Sequence, residues 1–248
     1  MLAADIQRVW HANWQVYGAD KVWQQLNREG IQVARCTVER LMRRLGLQGA
    51  RRGKSLRTTM PDTSAPRPLD RVNRVFKASR PNELWVSDFT YVSTWQGWLY
   101  VTFVVDVYAR RIVGWRVSRT MQTDFVLDAL EQALYERQPV ANALVHHSDR
   151  GSQYLSIRYS ERLAEAGIQP SVGNALAETI NGLYKAELIH RWAPWRTRES
   201  VELATLQWVH WFNHTRLLQP IGGIPPAEAE ANYWRQLANS NTPTEEST

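Results

Sequence analysis

The chain has 248 residues, 44% hydrophobic and 22% charged, with a formal net charge of +6 and a pI of about 9.7. That length and apolar content suit one core of ordinary size plus a small appended domain, and they exclude a largely disordered chain. The single cysteine, Cys36, excludes an internal disulfide and a cysteine-based zinc finger, while the basic excess points to an acidic partner: DNA, RNA or an anionic surface.

The charge is uneven. Residues 1–34 hold three basic and three acidic groups; residues 35–80 hold 13 Arg and Lys against Glu39, Asp62 and Asp70, a net of +10; residues 81–248 net −4. Residues 2–10 and 17–28 read as helices, the second with Val22, Trp23 and Leu26 at helical spacing, and Gly30 breaks the pattern. Arg35–Leu45 reads as a third helix, with Thr37 or Cys36 near its start. Val38, Leu41, Met42 and Leu45 form its apolar face, with Arg40, Arg43 and Arg44 largely outside. Short helices ending on a positive one suit a helix-turn-helix module that touches DNA, or a small bundle with a solvated basic face. This module is expected over 1–48. Residues 49–81 are expected to form a linker: Arg51, Arg52, Lys54 and Arg57 precede Pro61, Pro66, Pro68 and Pro81, a composition that can follow a phosphate backbone without reading sequence.

Leu84–Val92, Leu99–Val107 and Arg111–Val117 are predicted strands of a three-strand meander. Thr123–Tyr135 is a predicted helix, Ala143–His147 a short buried strand, Ser156–Ala166 a helix, and Ile168–Pro170 the start of a further strand. Ala175–Leu188 and Ser200–Phe212 are later helices, and Pro225–Pro226–Ala227 opens a short last one. Strands first, then alternation with helices, predict an α/β domain with a mixed sheet over 82–238, followed by a polar tail, 239–248. The stretch Tyr100–Val107 is far too short to span a membrane and no signal peptide is visible, so a cytoplasmic protein without membrane contact is expected. His210 and His214 stand four apart with no Glu between them and read as surface or structural residues.

Two acids stand out. Asp88 lies inside an apolar strand, and Asp149 directly follows the strand that ends at His147. A carboxylate in such a place is costly unless it is paired or ligates a cation, and two on neighbouring strand ends suit Mg²⁺, which takes oxygen ligands. An Asp at a strand end is also an ordinary turn or cap residue.

A set of motifs in fixed order then carries a resemblance. These are Leu84–Trp85–Val86–Ser87–Asp88–Phe89–Thr90–Tyr91, Tyr100 through Asp106, Arg110 through Trp115, His147–Ser148–Asp149–Arg150–Gly151–Ser152–Gln153–Tyr154, Asn174–Ala175–Leu176–Ala177–Glu178, Leu183–Tyr184–Lys185–Ala186–Glu187, and Trp211–Phe212–Asn213–His214–Thr215–Arg216. Together they resemble the integrase-like subunit of bacterial insertion-sequence transposases, over roughly residues 8–235. The resemblance implies an RNase H-like integrase catalytic core with a mixed sheet, preceded by a small helical, helix-turn-helix-like domain. It implies an Asp–Asp–Glu triad of Asp88, Asp149 and Glu178 around two Mg²⁺ or Mn²⁺ ions, cutting DNA at element ends and joining the free 3′ end to a target. Asp106 matches a recurrent acid outside the triad. Lys185, two helical turns past Glu178, is expected on the DNA backbone near the cut, and Glu187 is expected to be a surface or pairing residue.

The sequence departs from that pattern between Gly173 and Asn174. Asp149 and Glu178 are separated by 28 residues, 150–177. Relatives carry about seven more, which would span about 23–25 Å when extended. Impaired catalysis is therefore expected, leaving a non-catalytic DNA-binding regulator as the alternative; a nuclease acting on another nucleic acid is a third reading. The resemblance also implies an oligomer on DNA and an upstream helix-turn-helix subunit, joined by frameshifting. The chain opens close to the helical module, as expected of a truncated frame or of a product that relies on that partner. Most of the 12 tryptophans are expected in the core or an oligomer interface, with one or two able to stack on unpaired bases.

Overall fold

The computed structural model describes residues 1–51, 77–148, 154, 156–172 and 176–240. Three helices open the chain: α1 (Leu2–Ala12), α2 (Ala19–Arg28) and α3 (Arg35–Arg44). Their buried residues, Ile6, Val9, Val22, Leu26, Val38 and Met42, recur three or four apart and face one another. Gly30 follows α2 at φ +84°, a left-handed position that favours glycine. α3 is capped by Ala34, with no side-chain hydrogen bond.

The sheet has five strands in the order β3-β2-β1-β4-β5: β1 (Leu84–Thr94), β2 (Gly97–Asp106), β3 (Arg111–Ser118), β4 (Val145–Ser148) and β5 (Gln169–Val172). The first three form the expected antiparallel meander. β4 and β5 add in parallel, each reached through a helix: α4 (Thr123–Arg137) before β4 and α5 (Ile157–Glu165) before β5. The sheet is therefore mixed. Alternation sorts its side chains. Leu84, Val86, Val101, Phe103, Val105 and Ile112 face one core, shared with the C-terminal helices; Trp85, Val104 and Val113 face the other, under α4 and α5. Gly114 is forced by that second packing, because a Cβ there would lie 2.1 Å from the carbonyl oxygen of Ala129.

After β5 come α6 (Leu176–Tyr184), a π-helical turn over Lys185–Ile189, α7 (Arg198–His214) and α8 (Pro226–Ser240). The sequence predicts one regular helix to Leu188. Instead the wide turn brings three consecutive residues, Glu187, Leu188 and Ile189, into the interior, which a regular helix face does not do. α8 is also longer than its opening suggested, a 15-residue helix running two residues into the expected tail; residues 241–248 lie outside the described residues.

Helices α1–α3 share a core with the C-terminal helices. Tyr17 Oη donates to the Thr215 carbonyl (3.2 Å) and accepts from Leu217 N–H (2.8 Å), and Trp211 Nε1 donates to Asn13 Oδ1 (3.2 Å). Trp14 packs on both Trp192 and Trp211. Arg28 pairs with Glu228 at the rim.

Candidate active site

β1 holds the first acid. Its pairing with β4 ends at Ser87 opposite Ser148, while β1 itself continues to Thr94. Along that further stretch α6 packs against β1 from the face that it shares with the C-terminal helices. Asn181 Nδ2 donates to Asp88 Oδ2 at 2.9 Å, and Lys185 Nζ stands 4.5 Å from the centre of the Tyr91 ring. Asp88 Oδ1 also accepts from the Phe89 N–H at 2.8 Å. Asp88 is only 8% exposed, so these donors offset a real desolvation cost.

Glu178 lies in the first turn of α6, exposed, three residues before Asn181 and hence on a neighbouring position of the same face. Asn181 was not singled out by its residue type. Its only signal in the sequence is a polar side chain at helical spacing between the buried Ala177 and Tyr184. Asp149, the residue after Ser148, lies outside the described residues, as do Arg52 and Lys54. Among the described residues no three His, Cys, Asp or Glu side chains form a metal-holding group. The donors that are described suit a hard divalent ion: the Asp88 carboxylate, and beside it Asn181 Oδ1, a buried oxygen with no hydrogen-bond partner.

The remaining acids are occupied. Asp106 accepts from the N–H groups of Asn82 (2.7 Å) and Tyr108 (3.0 Å) and pairs with Arg137 (3.4 Å). Burial raises its pKa, against those donors. It braces the end of β2. Glu187 is buried and bound at both oxygens by Arg216: Nε at 3.1 and 2.9 Å, Nη2 at 2.5 Å. It is thus a pairing residue, and its partner comes from the Asn–x–x–Arg stretch. Asn213 of that stretch brackets Ile112 of β3, accepting from its N–H at 3.0 Å and donating to its carbonyl at 2.8 Å.

The histidines beside Asp149 are interior groups. His146 Nε2 lies 2.8 Å from Ser87 Oγ, and His147 Nδ1 lies 2.9 Å from Ser171 Oγ. Burial, aided by the neighbouring His147, holds His146 at a pKa of about 3. His210 and His214 stack on the exposed side of α7, 4.6 Å apart. Arg40, Arg43 and Arg44 are exposed on α3, Arg43 bonded to Glu39 at 3.2 Å, and Arg51 is exposed after it.

A mixed sheet of this order, with helices on both faces and a buried aspartate in the central strand, defines an RNase H-like integrase core behind a helical, helix-turn-helix-like module. The comparisons agree. A family model described as an integrase core domain matches residues 78–175, a second with the same description matches 178–233, and an HTH-like domain model matches 1–55. The catalytic core domain of HTLV-2 integrase, solved in complex with magnesium, shares the fold with a TM-score of 0.50 at 19% identity, covering 62% of this chain and 99% of that one. A Mycobacterium tuberculosis protein assigned as the transposase of insertion sequence element IS986/IS6110 is 61% identical over 246 residues, 95% of this chain and 88% of the relative. The Shigella sonnei transposase for insertion sequence element IS629 is 58% identical over 247 residues, 97% and 82% respectively. The chain belongs to the IS3 family of insertion-sequence transposases, with a DDE-type integrase catalytic domain, and is closely related to the IS986/IS6110 transposases.

Proposed function

We propose that the chain acts on double-stranded DNA at insertion-sequence ends, cutting phosphodiester bonds and joining the freed strand to a target, with Asp88, Asp149 and Glu178 as its carboxylates. The observation that carries this reading is the tie between Asn181 and Asp88. It ties the helix that bears Glu178 to β1 at Asp88. α6 and β1 advance together, Asn181 at Asp88 and Lys185 at Tyr91. One turn back from Asn181 therefore leads toward Ser87 and Ser148, where the chain continues into Asp149.

The three carboxylates would be the oxygen donors for two Mg²⁺ or Mn²⁺ ions, with Asn181 Oδ1 available beside Asp88. Such ions supply Lewis-acid stabilisation of charge at the attacking and leaving oxygens. The protein's part is to fix Asp88 on a buried strand and Glu178 on α6, to orient the Asp88 carboxylate through Asn181 and Phe89 N–H, and to set Lys185 where a phosphate approaches. Arg40, Arg43, Arg44 and Arg51, continued in sequence by Arg52 and Lys54, bind backbone phosphates and make affinity fall with salt. An upstream helix-turn-helix subunit supplies end recognition, and the chain works as an oligomer on DNA.

Only 28 residues, 150–177, separate Asp149 from Glu178, and Glu178 is exposed. A tether this short limits how freely α6 can be placed against the strand ends. It favours a second reading in which this copy is impaired in catalysis and acts as a DNA-binding regulator. Cleavage and joining of labelled element ends, with Mg²⁺ or Mn²⁺ and the upstream subunit present, separates the two. The chain is compared with a form carrying seven residues of a relative between Gly173 and Asn174. Activity in both supports the enzyme. Activity only in the extended form identifies an impaired copy. In whichever form is active, Asp88→Asn and Glu178→Gln each abolish cleavage and leave DNA binding intact; strand transfer surviving Glu178→Gln would remove Glu178 from the triad.

A further inference from the structure

The tip of the β1–β2 hairpin carries aromatic surface that the core does not need. Trp95 is 67% exposed and Trp98 58% exposed, in a protein whose Trp85 and Trp208 are wholly buried. Both are organised by neighbours. Trp98 stacks edge-on against Tyr91 at 5.4 Å, and the Lys185 ammonium caps the other partner of that pair, Tyr91. The Arg196 guanidinium lies 4.9 Å from the Trp95 ring. The hairpin is pinned from below, Trp95 N–H donating to the Trp195 carbonyl at 3.0 Å and Arg119 reaching Gln96 at 3.1 Å. Among the described residues neither Lys185 nor Arg196 has a carboxylate within salt-bridge distance. In a core whose residues 81–248 net −4, this is a local concentration of positive charge interleaved with exposed rings.

We propose that this hairpin is a stacking platform for unpaired nucleotides of a DNA strand leaving the active site, with Trp98 and Trp95 taking bases and Lys185 and Arg196 taking the adjoining phosphates. The proposal rests on the DNA reading above and adds a subsite to it. The favoured occupant follows from the chemistry. Alternating π faces and unpaired cations suit a single strand, whose bases are available for stacking, better than a duplex, whose bases are not. The position fits as well. Trp98 lies opposite Ser93, five residues along β1 from Asp88, or about 17 Å at strand rise. At the duplex rise of about 3.4 Å per nucleotide that is at most about five nucleotides from a phosphate at the Asp88 site, and fewer for an extended single strand.

The test is fluorescence anisotropy on the full chain with two labelled probes: a blunt duplex of about twenty base pairs, and the same duplex with a five-nucleotide single-stranded end. The variants are Trp98→Ala, Trp95→Ala and Trp98→Phe, with Trp234→Ala as an exposed tryptophan elsewhere. We expect Trp98→Ala and Trp95→Ala each to weaken binding of the frayed probe about 10-fold, in line with the loss of one stacked base, while blunt-duplex binding changes less than about 2-fold. Trp98→Phe retains most of the preference, and Trp234→Ala changes neither probe. Equal losses on both probes, or no loss on the frayed one, would overturn the platform. A shift in sedimentation of the two tryptophan variants without DNA would overturn it in favour of an interface with a second copy. Failure of the parent chain to bind even the blunt duplex would instead remove the DNA reading on which the proposal stands.

Discussion

At the scale of single residues, the polar groups around the sheet's open end divide into those held for use and those held for structure. Asp88 is the former: buried, yet facing donors from a different element. His146 is the latter. Its imidazole sits between Ser87 and Tyr159 with no counter-charge, and burial holds its pKa near 3 against an ordinary value of 6.5. The folded state therefore resists protonating a group that the unfolded chain protonates freely below about pH 6.5. Stability is full above that pH and falls through the window down to about 3. Between pH 7 and pH 5 the loss from this one residue is about 2 kcal/mol. Urea midpoints at the two pH values measure it, and His146→Asn should show a visibly smaller drop than the parent. An equal drop in both would place the acid sensitivity elsewhere.

At the scale of elements, close approach matters more than composition. β3 and α4 meet where Gly114 faces the Ala129 carbonyl, with no room for a methyl group. Gly114→Ala must push the helix off the sheet or bend the strand, and we expect a loss of about 2–3 kcal/mol, seen as a lower denaturant midpoint. The Asn213 bracket on Ile112 fixes α7 to the same strand from the other face. The buried Glu187–Arg216 pair joins the π turn to the end of α7. Each tie uses a residue from the motifs that carry the family resemblance, and each holds the scaffold together.

At the scale of the molecule, the helical module and the catalytic core share apolar packing. Tyr17 is the pivot. Its hydroxyl bonds twice to the segment after α7, and burial pushes its pKa up to about 12. Tyr17→Phe leaves the ring in place and strips the Leu217 N–H of its acceptor, at a cost of about 1–3 kcal/mol. The parent should unfold in a single transition followed by far-UV circular dichroism and by tryptophan fluorescence. Two separated transitions would show that the module folds apart from the core and that the Tyr17 contacts carry little.

How far the chain can be read without coordinates depends on the range of the forces involved. The three N-terminal helices, the meander and the helix–strand alternation were legible, because each is written in a local period of apolar side chains that burial then enforces. The bounds were off by a few residues, and α8 by more. Its second half is exposed, Trp234 and Leu237 included, so burial does not enforce a pattern there. Asp88 was legible because a carboxylate in an apolar strand is an anomaly wherever it occurs. The use of Asp106 was not legible, and Glu187 was legible only as a surface or pairing residue without its partner. Both match recurrent motif positions, but only contact with Arg137 and Arg216, 31 and 29 residues away, decides that they are braces. Nor could sequence choose among the tryptophans. Trp85 and Trp98 differ little in their neighbours along the chain, and what separates them is which side of a folded sheet, or which end of a hairpin, meets another layer. The chain by itself determined its elements and its family, since those follow from local period and motif order. The open edge beside Asp88, Asn181 as its partner and the exposed rings at the hairpin tip were decided only by tertiary structure, because each depends on groups brought together from distant parts of the chain.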